Sequence, residues 1–149
     1  MSTRPNIFKG DLKVADSIIC VSESSKGFID FGGYTQTEKQ KVDDFELNGD
    51  AYKIKTHNVI TRLEKNGSML FESVPGTQVK DFNVTEKVIE FTAYGFGATM
   101  ITLELEPEKE YQIMIDEKNV GETKSTLSGK INFSSELSEA AKSFRIEKI

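Results

Sequence analysis

The sequence predicts an all-β chain, an antiparallel β-sandwich of the immunoglobulin-like or jelly-roll-like kind. Three observations carry this. Apolar residues recur at period two in one segment after another, the repeat of a strand with one buried face. Turn residues interrupt these segments every ten residues or so, the spacing of sandwiches and barrels. Helical period is nearly absent; the best candidate, "SSELSEAAKS", offers Ser135 as a cap but is too short for a helix.

The elements follow in order. "LKVADSIICVSE" has a β-branched middle, and "KGFIDFGGYT" is a short aromatic strand ending in a glycine pair. "DDFELNGDAYKIKTH" reads as a hairpin, with Phe45 and Leu47 before an Asn-Gly tip and Tyr52 and Ile54 after it. Asn-Gly suits a two-residue hairpin turn because both positions need positive φ. "VITRLEKNGSMLFESVPG" repeats the device around Leu63 and Met69 to Phe71. "VKDFNVTEKVIEFTAYGFG" supplies Phe82 and Val84, then Ile89, Phe91 and Ala93. "TMITLELE" puts Ile101, Leu103 and Leu105 on one face and Thr102, Glu104 and Glu106 on the other. After a turn at "PEKE", Tyr111, Ile113 and Ile115 alternate, and further turns fall at "EKNVG" and "LSGK". "KINFSSEL" and "SFRIEKI" close the chain, so residues 101–149 read as a meander of three or four consecutive strands.

A chain of 149 residues and 16.7 kDa is one domain in size. It divides into a polar N-terminal arm, residues 1–11, and a sandwich domain, residues 12–149. At this length about 70% of the unfolded surface is buried, so folding needs neither metal nor disulfide. The net charge of −5 argues against nucleic acid as a partner and against adhesion to anionic membranes. No window is long and apolar enough for a membrane span, and "MSTRPNIFKGDLKV" lacks the apolar core of a signal peptide. The expected location is the cytoplasm, or outside the cell by a route without a classical signal peptide. A single cysteine, Cys20 in "SIICV", rules out an intrachain disulfide and reads as a small buried hydrophobe; an intermolecular bridge is the alternative.

No segment carries a catalytic motif. His57 is the only histidine, and neither G-x-S-x-G nor H-E-x-x-H occurs. One histidine and one cysteine are too few for a zinc site. Asp43, Asp44 and Glu46, and the run Glu104, Glu106, Glu108 and Glu110, lack the calcium-loop pattern and read as solvated strand faces. No cofactor is implied.

The candidate contact residues are aromatic or apolar side chains that one core does not obviously need. In "FIDFGGYTQ", alternation puts Phe28 on one face with Asp30 and Phe31 on the other with Ile29, so one of the two phenylalanines faces outward. Tyr34 follows the glycine pair, and Tyr94 and Phe96 flank glycine in "AYGFGAT". In the arm, Ile7 and Phe8 are adjacent, so an extended chain points them to opposite sides. Exposed aromatics of this kind pack on another protein chain or stack on a sugar ring.

The run "ITRLEKNGSMLFESVPGTQVKDF", with "LELEPEKEYQIMIDEKNVGETKSTLSGKINFSSEL", resembles small single-domain bacterial proteins labelled endosialidase-like. The resemblance implies work on a sialic-acid polymer. The chain has none of the tryptophan-containing boxes of sialidases, and its arginines are Arg4, Arg62 and Arg145, so no catalytic residue is carried over. The functional expectation is therefore a non-catalytic sandwich acting through contacts with other chains, including copies of itself, in self-assembly or scaffolding. The alternative is a module that binds or processes carbohydrate.

Overall fold

The computed structural model describes residues 20–149. The arm, with Ile7, Phe8 and Arg4, lies outside the described residues, as does most of "LKVADSIICVSE". Thirteen strands follow: β1 (Val21–Glu23), β2 (Ile29–Phe31), β3 (Gln40–Leu47), β4 (Asp50–Thr56), β5 (Thr61–Lys65), β6 (Ser68–Val74), β7 (Thr77–Val84), β8 (Val88–Gly95), β9 (Ala98–Glu104), β10 (Glu110–Ile115), β11 (Lys118–Lys124), β12 (Lys130–Glu136) and β13 (Lys142–Lys148). No helix occurs among the described residues, so none could cross a membrane. "SSELSEAAKS" instead ends β12 and leads through bends into β13.

The strands form two antiparallel sheets packed as a sandwich. One has seven strands in the order β1-β2-β7-β8-β13-β10-β11, the other six in the order β12-β9-β6-β5-β4-β3. Alternating residues of most strands fill the space between them, while edge strand β11 buries none. Ile54, Leu63, Phe71, Val79, Ile101, Leu103 and Ile146 are fully buried. Phenylalanines join the sheets: Phe31 of β2 meets Phe71 of β6 edge-on at 5.2 Å, and Phe144 of β13 lies 6.0 Å from Phe133 of β12. Edge-on and offset rings put electron-poor edges against electron-rich faces and add about 0.5–1.5 kcal/mol per pair to burial.

Both Asn-Gly tips form as the sequence predicts. Asn48 and Gly49 join β3 to β4 with φ of 53° and 84°, and Asn66 and Gly67 join β5 to β6 with 51° and 87°. The expectation of a meander over residues 101–149 does not hold. β9 and β12 pair with each other in the six-stranded sheet, while β13 inserts between β8 and β10 in the other. The chain thus crosses between the sheets repeatedly, because each crossing lets the next strand bury its apolar face against the opposite layer.

Candidate functional site

Several connections converge at one end of the sandwich: β2 to β3, the β4–β5 turn, β6 to β7, β8 to β9 and β12 to β13. A buried set of hydroxyls underlies them. Thr56 and Thr61 share a hydrogen bond at 2.7 Å. Thr61 Oγ1 donates to the Thr77 carbonyl at 3.1 Å and accepts the Thr77 N–H at 3.0 Å. Ser73 and Thr77 share another at 2.9 Å, and Gly33 N–H donates to Thr56 Oγ1 at 2.9 Å. Thr56, Thr61, Ser73 and Thr77 have no exposed surface, so these bonds are their only source of partners among the described residues.

Backbone bonds then lash loop to loop. Asn58 N–H donates to the Gln36 carbonyl at 2.7 Å and Gly76 N–H to the Asn58 carbonyl at 3.1 Å. Gly95 N–H donates to the Ser138 carbonyl at 3.0 Å and Leu137 N–H to the Gly97 carbonyl at 2.9 Å. The approach at Gly76 is so close that a Cβ there would stand 1.9 Å from the His57 carbonyl oxygen. Glycine is required at this position for space.

On this rigid base stand two of the aromatic residues singled out in the sequence. Tyr34 and Phe96 meet edge-on, ring centroids 4.9 Å apart, and Phe96 is 57% exposed. They line a shallow hollow of about 610 Å³ with Thr35, Gly95, Ser138, Glu139 and Ala140. Val59, in the β4–β5 turn, is exposed at the same end. Val74 and Met100 are cross-strand partners on the outer face of the six-stranded sheet, each 47% exposed. These exposed aliphatic residues escaped the sequence reading. Their only local sign is an apolar residue at an outward parity, beside buried Ser73 and Thr99.

The other candidates do not join this cluster. Phe31 is a correction: it is 2% exposed and packs on Phe71 and Phe82 between the sheets. Phe28 is the outward member of that pair, half-buried beside the β1–β2 turn. Tyr94 is half-buried on the outer face of the seven-stranded sheet, between inward Ala93 and Gly95. Ile7 and Phe8 lie outside the described residues.

The groups that bear chemistry are dispersed. Among the described residues no three His, Cys, Asp or Glu side chains are placed to hold a metal ion. Arg62 sits on the outer face of the six-stranded sheet, paired with Glu72 at 3.1 Å and Glu64 at 3.3 Å. Arg145 sits on the opposite outer face with Glu90 and Glu147. The two therefore cannot converge on one carboxylate. Cys20 is buried, and that burial pushes its thiol pKa up, which keeps it protonated and unreactive. Compared with known proteins, the chain matches no family model, no curated protein and no solved structure.

Proposed function

We propose that this chain is a non-catalytic β-sandwich that works by self-association through its loop end. The observation that carries the proposal is Phe96, held out of the fold between two glycines and braced edge-on by Tyr34. A large ring left in water is a hydrophobic surface without a partner. Val59, in the β4–β5 turn, adds an exposed aliphatic side chain at the same end. The two rings lie 80° apart, so they offer no coplanar platform for a sugar, whereas an edge-and-face corner suits a protein side chain.

A second copy of this chain is the occupant that the patch suits. A two-fold interface must be self-complementary. Here Phe96 both projects and forms one wall of a shallow hollow of about 610 Å³, so across a two-fold axis each copy's ring can pack against the other's hollow. The loop-to-loop hydrogen bonds fix the patch in advance, which lowers the entropy lost on docking. Sedimentation or light scattering of the full chain over a concentration series tests this. A concentration-dependent dimer that Phe96→Ser abolishes is the expected result. A wild-type chain that stays monomeric at tens of micromolar overturns it.

A further inference from the structure

Away from the loop end, the outer face of the seven-stranded sheet carries a cleft of about 430 Å³. It runs across the strands, from Lys26 and Phe28 at the β1–β2 turn to Met114 and Glu117 at the β10–β11 turn. The strand register explains its floor. Asn83 of β7 is opposite Glu90 of β8, Glu90 is opposite Arg145 of β13, and Arg145 is opposite Met114 of β10. Four side chains thus stand in a row perpendicular to the strands, about 14 Å long at the usual strand spacing. Thr92 and Ser143, also partners, form a shorter row beside it.

Local devices hold the row in place. β7 bulges at Asp81, whose φ is 54°, and the freed Asp81 N–H donates to Asp30 Oδ1 at 2.7 Å. Such a bulge re-aims the side chains around it. At the far rim, Ser143 N–H donates to Asp116 Oδ1 and Asp116 N–H to the Ser143 carbonyl, both at 2.9 Å. Arg145 donates to Glu90 in the middle.

The chemistry of the lining selects among ligands. Three carboxylates (Asp81, Glu90 and Glu117) outnumber two cations (Lys26 and Arg145), so an acidic ligand meets net repulsion. The strands beneath are interior to the sheet, with their backbone groups already paired, so an extended peptide finds no ladder to join. The apolar side chains presented, Phe28 and Met114, are too few for a hydrophobic ligand or the core of a protein interface. What remains is a neutral ligand rich in hydroxyls with some apolar CH surface. We infer that this cleft binds a neutral oligosaccharide. Asn83, Thr92 and the Glu90–Arg145 pair hydrogen-bond its hydroxyls, and Phe28 and Met114 take its CH faces.

The test uses the full chain, labelled with ¹⁵N, and tetrasaccharides of β-linked glucose, xylose and mannose, with a sialic-acid tetramer as the acidic control. At least one neutral tetrasaccharide is expected to shift amides of β7, β8 and β13 and to bind about tenfold more weakly to Asn83→Ala, the loss of roughly one hydrogen bond. Thr92→Val replaces that variant if Asn83→Ala fails to fold. Phe96→Ser is expected to bind like the wild type, which separates this site from the loop end. No response to any neutral tetrasaccharide, shifts confined to Tyr34 and Phe96, or a stronger response to the sialic-acid tetramer each overturns the inference.

Discussion

The edge of one ring in the Tyr34–Phe96 pair faces the other at 4.9 Å, although 61 residues separate the two in the chain. The contact exists because the β2–β3 and β8–β9 connections, which both cross from the seven-stranded to the six-stranded sheet, lie beside each other. Phe96 is the exposed member of the pair and Tyr34 is half-buried, so the Phe96 ring contributes little to the stability of the monomer. Phe96→Ser is expected to cost about 1 kcal/mol or less in denaturant unfolding while abolishing association. A large stability loss would place Phe96 in the core instead of at an interface.

The hydroxyl set beneath the loops is expected to behave oppositely. Thr61→Val keeps the shape of the side chain but leaves the Thr77 N–H without its acceptor and takes a partner from Thr56. Stranding such buried groups costs about 1–3 kcal/mol. Urea unfolding of Thr61→Val and of the exposed control Thr85→Val measures the contrast.

Two glycines separate steric from conformational demands. Gly76→Ala would drive a methyl into the His57 carbonyl and force the β4–β5 and β6–β7 loops apart. The expected loss is several kcal/mol, toward the severe end for a single substitution. Gly49→Ala meets nothing within 4 Å but keeps φ at 84°, so its loss is about 1–2 kcal/mol. Equal losses at the two sites would contradict the close approach at Gly76.

Ile113 is 6% exposed, between β11 and β13 in the seven-stranded sheet. Ile113→Asp buries an unpaired carboxylate, at a cost of several kcal/mol against a typical domain stability of about 5–15 kcal/mol. The variant is expected to be unfolded by circular dichroism and one-dimensional NMR. A folded variant with an unchanged melting temperature would mean that this strand turns its other face inward.

Lys148 Nζ donates to Glu106 at 2.9 Å, tying the end of β13 to the β9–β10 loop. The hydrogen bond from Lys148, then its charge, lowers the Glu106 pKa; the same bond raises that of Lys148. The Glu106 contribution is therefore present above the ordinary carboxylate range and is lost as pH falls through its lowered value. The Lys148 contribution is present below the ordinary lysine range and is lost as pH rises through its raised value. Because the pair is solvent-exposed, Glu106→Gln is expected to flatten the acid limb of the melting curve only slightly, and less at high salt. A steep change would mean that this pair is shielded from water.

The strand faces were legible because period-two alternation is a local property. Ile113, Ile101 and Leu103 are inward as the pattern predicts, and both Asn-Gly turns fall at the tips because their φ requirement is written in two residues. Phe28 and Phe31 could be separated into opposite faces, but choosing the buried one needed the sheet packing that sets Phe31 on Phe71. Thr56 and Thr61 share the parity of buried Ile54 and Leu63, so an inward threonine was a readable sign of the hydroxyl set that went unused. What the tertiary structure alone decided is which sheet each strand joins. Alternation buries a strand equally well in either layer, so it cannot tell a meander over residues 101–149 from the observed crossings. The β2–β3 and β8–β9 crossings bring Tyr34 to Phe96, and the insertion of β13 between β8 and β10 aligns Arg145 with Glu90 and Met114, relations set by long-range pairing and not by any local pattern.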